Sequence, residues 1–328
     1  MALAPVVLAG VDPWLLQLAH GIVSRPGAPA VPELAARAIL AASLMFAAPA
    51  AGLWLLMHLS RAGTTSPGGL RLRAIATLAL STPPLFTLVG VEAWLAGEAH
   101  LENVIWVTLW VLLAFIAMRD VDANDRPSRQ RPAAPSLRVA HGVGALLLLA
   151  GFIGLHLGNH VAGLAGAQMH LDVMHALRRW YRSEFVEPAL LTLCLLQLGT
   201  GAALACRRLA QAAGPAGTLQ AATGSYLGLY LICHINSVFV YARAHGTDTD
   251  FWFAAGGHAG LLGDAWDVRL VPHYALAVLF LVVHLGAGLR VVLLTHGRRP
   301  RWLMPAAWSV GAVVSLGAVL PLLRIHAS

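Results

Sequence analysis

Long apolar runs alternate with short polar segments along this chain, and the runs are of membrane-spanning length. Crossing the hydrocarbon core of a bilayer takes about 20 apolar residues in a helix. The runs that meet or approach that length are Ala36–Leu59, Leu72–Leu95, Val104–Met118, Val139–Leu164, Pro188–Leu209, Thr223–Tyr241, Val271–Leu294 and Met304–Leu323. They predict an all-α integral membrane protein of about eight transmembrane helices, the third being the shortest. The first residues are apolar but carry Asp12 and Pro13 and lack a basic start, which predicts an interfacial segment rather than a cleavable signal peptide. Pro83 and Pro84 fall inside the second run and predict a kink, because proline removes a backbone donor and crowds the preceding turn. Asp120–Ser136 is polar, proline-rich and without helical period, as expected of a flexible linker. It divides the chain into a front module (1–119), with the interfacial segment and three helices, and a five-helix back module (137–328).

Composition agrees with this class. Of 328 residues, 58% are hydrophobic and 11% charged, with mean hydropathy +0.70; soluble domains carry roughly 25% charged residues. The net charge is +7, and all 22 basic side chains are arginine. The arginines cluster between apolar runs rather than along one face, which argues for membrane orientation and against nucleic-acid binding. Most follow the first, third, fifth and seventh runs: Arg61, Arg71 and Arg73; Arg119, Arg126, Arg129, Arg131 and Arg138; Arg207 and Arg208; Arg290, Arg298, Arg299 and Arg301. By the positive-inside rule that side is cytoplasmic and both termini lie outside, in an expected bacterial inner membrane. Arg178, Arg179 and Arg182 run against the bias. The three cysteines, Cys194, Cys206 and Cys233, give no disulfide framework, and the absence of C-x-x-C-H excludes covalent haem attachment.

The chemistry lies in histidines inside apolar runs. His156 sits well within Leu137–His160, His234 within Gly224–Tyr241 and His284 within Val271–Leu294. An imidazole in hydrocarbon needs a partner or costs several kcal/mol, and ionisable residues at such depth mark function. Three helices each with a central histidine point to an axially ligated haem. His156 lies about 27 Å along the helix from Arg138. His234 follows Arg208 across a turn at Ala212–Gly217 and falls at comparable depth, so the two can face each other across a porphyrin. His160, one turn beyond His156, is a second candidate ligand or a hydrogen-bond donor to a propionate. His273 shares a face with His284 at the outer membrane edge, where it meets a propionate or a quinone headgroup, or caps loop carbonyls. His141 lies near the cytoplasmic edge, with no partner evident at matching depth. Gly199, Gly201, Gly224, Gly228, Gly286 and Gly288 allow close approach to a flat macrocycle and equally serve helix packing. The segment His170–Pro188 reads as an interfacial amphipathic helix. Within it His170, His175 and Asp172 form only a poor metal set, because a spacing of five does not share a helical face.

With these residues placed, the back module (about 137–323) resembles the five-helix, di-haem cytochrome b membrane anchors of succinate dehydrogenases and fumarate reductases. The resemblance rests on Ala140-His141-Gly142-Val143-Gly144 followed by Leu155-His156-Leu157-Gly158-Asn159-His160, on Thr223-Gly224 with His234 ten residues after the glycine, and on Tyr274, His284 and Gly288-Leu289. It implies that His156 and His234 ligate the haem farther from the cytoplasm, and that His284 is one ligand of the nearer haem. The partner position of His284 holds Gln197, four residues before Gly201, and glutamine is a poor iron ligand. One haem b is therefore expected, with two possible.

The expected function is a membrane haem b protein carrying electrons to or from quinone. The candidate cofactor-binding residues are His156, His234, His284, His160, His273, Gly224 and Arg243, with His156 and His234 on iron and a quinone near His273, Tyr274, Arg243 and Tyr241. The resemblance implies membrane lipid, quinone and soluble flavoprotein and iron–sulfur subunits as partners. The chain has no flavin or iron–sulfur motif, so as an enzyme component it would be the cytochrome b subunit rather than the dehydrogenase. Two other readings stand beside it: a proton, metal or small-solute transporter using His156, His160, His234 and Glu92, and a structural protein that keeps the anchor fold without redox work.

Overall fold

The computed structural model of this chain describes residues 3–25, 27, 30–63, 66–119, 134–211 and 214–323. Every regular element among them is helical. In chain order these are α1 (Ala4–Gly10), α2 (Asp12–Val23), α3 (Val31–Met45), α4 (Ala47–Arg61), α5 (Pro67–Leu80), α6 (Thr82–Leu95), α7 (Glu102–Met118), α8 (Pro135–Leu148), α9 (Gly154–Ala162), α10 (Ala167–Tyr181), α11 (Val186–Leu209), α12 (Pro215–Ile235), α13 (Ala242–Ala244), α14 (Phe251–Ala254), α15 (Leu270–Thr295) and α16 (Leu303–Leu323). Two π-helical segments, Leu149–Ile153 and Asn236–Tyr241, join α8 to α9 and α12 to α13. The expected linker falls mostly on residues 120–133, outside the described residues; Pro135 and Ser136 already belong to α8.

Six helical stretches are long and apolar enough to cross a membrane, and nine if each bent pair counts as one span. The pairs are α1–α2, α3–α4 and α5–α6, bent by 61°, 57° and 68°. A proline explains each break. Pro13, Pro49 and Pro83 cannot donate to the carbonyl four residues back, which is Ala9, Met45 and Ala79 respectively. Other groups serve two of those carbonyls: the Trp106 indole N–H donates to Ala9 at 2.9 Å, and the Thr82 hydroxyl donates to Ala79 at 2.6 Å.

The chain divides into two compact units. Unit 1 comprises the described parts of Met1–Ser128, Leu229–Tyr274 and Leu323–Ser328; unit 2 comprises those of Arg129–Gly228 and Ala275–Leu322. The segment after Leu229 therefore packs in one unit with the front helices. In unit 1 the core is built on Trp106, Trp110, Leu56, Leu80 and Phe86, all buried. Gly52 lets α4 press on α5: a Cβ there would stand 2.8 Å from the Ala76 carbonyl oxygen. Arg71 donates to the carbonyls of Ile116 and Arg119 at 2.9 and 2.8 Å, closing the C-terminal end of α7.

In unit 2, Tyr226 meets Phe280 edge-on, Phe280 meets Trp308, and the Ser315 hydroxyl donates to the Ala275 carbonyl at 2.8 Å. A Cβ on Gly286 would stand 2.7 Å from that of Ala307, so α15 and α16 pack closely. Leu146, Leu147, Leu195, Leu196 and Val313 are each more than half exposed. A polar solvent would penalise so much open apolar surface; lipid accepts it. This is an integral membrane protein with lipid-facing helices.

Candidate functional site

Unit 2 brings together two histidines from distant parts of the chain. His141 stands in the second turn of α8 and His284 in the C-terminal half of α15. Their ring centroids are 6.3 Å apart and their planes are crossed at 88°. Each ring is held from outside by a threonine of a third or fourth helix. The Thr200 hydroxyl of α11 lies 3.0 Å from His141 Nδ1, and the Thr223 hydroxyl of α12 lies 3.2 Å from His284 Nδ1.

The protons in this arrangement can be followed. Thr200 donates its own proton to the Leu196 carbonyl at 2.7 Å, and Thr223 donates to Leu219 at 2.9 Å. Each hydroxyl oxygen is thus an acceptor toward its histidine, and Nδ1 is the donor. For His284 the Gln220 carbonyl, 3.1 Å from Nδ1, requires the same tautomer, because a carbonyl can only accept. The Gln197 amide nitrogen lies 3.3 Å from His141 Nε2 and donates to it. Both rings are therefore protonated on Nδ1, and His141 is neutral, its Nε2 lone pair accepting from Gln197. Fixing one ring nitrogen by an outer hydrogen bond is how metal-binding histidines are oriented.

Glycine makes room at the same two places. A Cβ on Gly201 would stand 3.1 Å from His141 Cε1, and one on Gly224 would stand 2.7 Å from His284 Cε1. Any larger residue would push the ring out of position. The same dipeptide, Thr-Gly, therefore occurs once on α11 and once on α12, threonine orienting a ring and glycine admitting it. Two imidazoles on opposite sides of one iron, with metal–nitrogen bonds of about 2 Å, hold their centroids roughly 6 Å apart. The pair His141/His284 has the centroid spacing of a bis-imidazole haem, and His141 could ligate iron only once Gln197 releases its Nε2 lone pair.

The remaining expected residues fall into separate groups. In unit 2, His156 stacks on Phe152 at 5.1 Å and meets His160 edge-on at 4.8 Å; His160 meets His170 at 5.2 Å. The Asn159 amide lies 3.2 Å from His170 Nε2, and both residues are buried. The π-helical turn Leu149–Ile153 ends three residues before His156, widening the helix just ahead of this cluster. In unit 1, Tyr230 is stacked with His234 at 5.5 Å and lies 4.6 Å from His273, which neighbours Tyr274 and hydrogen-bonds the Pro83 carbonyl beside the α5–α6 bend. Arg243 is exposed and lies over the Phe239 ring at 4.3 Å. His156 and His234, expected as one ligand pair, belong to different units. Among the described residues no group of three His, Cys, Asp or Glu is placed to hold a metal ion.

Sequence reasoning named Gly201 only among the glycines that admit a macrocycle, left His141 without a partner and passed over Thr200. The repeated Thr-Gly on neighbouring helices was the available signal. Depth gave a second one: His141 and His284 stand about 4.5 and 9 Å from the flanking Arg138 and Arg290, a difference within one helical pitch. Comparison with family models, with curated proteins and with solved structures returns no match for this chain.

Proposed function

We propose that this chain is a membrane haem b protein that carries electrons, with His141 and His284 as axial ligands. The observation that carries the reading is the pair of Nδ1-anchored imidazoles 6.3 Å apart, each seated against a glycine. Haem held there supplies a one-electron Fe(II)/Fe(III) couple. The chain's own contribution is fourfold. Thr200 and Thr223 fix the tautomers, Gly201 and Gly224 leave the rings their space, Gln197 would yield the His141 Nε2 lone pair to the iron, and the apolar bundle excludes water. Arg138 and Arg290 near this end of unit 2 favour a cytoplasmic-side site under the positive-inside rule, in a bacterial inner membrane with both termini outside. A quinone is the electron partner that the membrane offers, with the Tyr230, His234, His273 group as its contact region. Soluble flavoprotein and iron–sulfur subunits, docking on the cytoplasmic side, complete the reading.

The test is a pyridine-haemochrome assay on purified protein. Haem b should be present, and His141→Ala and His284→Ala should each remove the equivalent of one haem per chain. Colourless protein after expression with ample haem, or full haem content in either variant, would overturn the assignment.

A further inference from the structure

Unit 1 contains a buried charge cluster that electron transfer does not require. Arg269 is 6% exposed. Its guanidinium lies between the Phe86 and Trp266 rings, 4.1 and 4.3 Å from their centroids, and its Nε donates to the Trp266 carbonyl at 2.8 Å. Nη1 is spent on Glu102, also buried, in a direct ion pair. Gly90 makes this possible, since a Cβ there would stand 2.9 Å from Arg269 Nη1 and 3.2 Å from the Glu102 carboxylate.

A second carboxylate shares the site. Asp12 opens α2, which packs against the short turn Asp267–Arg269, and it interacts electrostatically with Arg269. It is only 2% exposed, and its Oδ1 has no hydrogen-bond partner among the described residues. Arg269 in turn is acted on by Glu102 from α7, by Asp267 of the same turn and by Asp12. One cation thus faces three carboxylates, and the cation already has its partner. A buried carboxylate left as an unpartnered anion carries a penalty of several kcal/mol, which a bound proton removes.

We propose that Asp12 is a proton-binding site: it rests as the neutral acid beside the Arg269–Glu102 pair and exchanges its proton with solvent. The only bond made or broken is the carboxyl O–H. The proton passes to water, and the transient carboxylate faces Arg269. All the residues belong to unit 1 and the histidine pair to unit 2, so this inference stands or falls separately from the haem reading.

The experiment is infrared spectroscopy of the full chain in lipid nanodiscs at neutral pH. A protonated-carboxyl C=O band is expected, shifted when aspartate is labelled with 13C at its side-chain carboxyl, lost in Asp12→Asn and bleached at high pH. Absence of the band, a shift with labelled glutamate instead, or survival of the band in Asp12→Asn would overturn the proposal. Should Asp12→Asn fail to fold, labelled wild type and Asp267→Asn decide: the aspartate band must persist without Asp267.

Discussion

His141 and His284 are anchored unequally. Two acceptors, Thr223 and the Gln220 carbonyl, serve His284 Nδ1, whereas among the described residues Thr200 alone serves His141 Nδ1. Outer hydrogen bonds of this kind are worth about 10- to 100-fold in metal affinity. Thr200→Val is therefore expected to weaken haem binding within that range, and Thr223→Val by less, as measured by titrating haem into the haem-free protein. Equal losses would contradict the asymmetry. At this scale the sequence was half legible. His284 and Gly224 were readable as candidate residues because each stands at a recognisable spacing. His141 was not, because residue counts from a helix end give depth only to within a turn, and helix ends are themselves uncertain by a residue or two. Its partner also lies more than a hundred residues away in the chain.

At the scale of elements, apolar length located the helices and proline located their breaks. The bend of 68° between α5 and α6 falls at Ser81, just before Pro83 and Pro84. Pro13 and Pro49 act alike, yet only the Pro83–Pro84 kink was expected. A single proline inside or beside an apolar run reads equally as a helix start, where it is tolerated. Two variants separate packing from hydrogen bonding at these joints. Gly52→Ala drives a methyl into the α5 backbone and should cost about 1–3 kcal/mol. Thr82→Val removes the hydroxyl bond to the Ala79 carbonyl and should cost about 1 kcal/mol. Thermal unfolding in detergent at fixed lipid content checks both, with the glycine variant expected to melt first. The π-helical turns were not legible, because nothing in local composition distinguishes a widened turn from an ordinary one.

For the whole molecule, the grouping of segments departs from chain order. Residues 229–274 join the front helices, so α12 and α15 each contribute to both units. Apolar periodicity is silent on such grouping, which depends on contacts between segments far apart in sequence. Orientation, by contrast, can be tested on single side chains. Cys206 is exposed beside Arg207 and Arg208, whereas Cys233 is buried. A membrane-impermeant maleimide is expected to label Cys206 in inverted vesicles and not in right-side-out ones, with Cys233 unlabelled in both. The opposite pattern would reverse the topology.

The crossed setting of the two imidazoles has one more consequence. Parallel rings would donate π density into the same iron orbital and split it from its neighbour. If both rings held one haem iron at their 88° setting, they would donate into orthogonal orbitals and leave those two nearly degenerate. Two threonine hydroxyls, by fixing how each ring is turned, would then set the electronic symmetry of the metal.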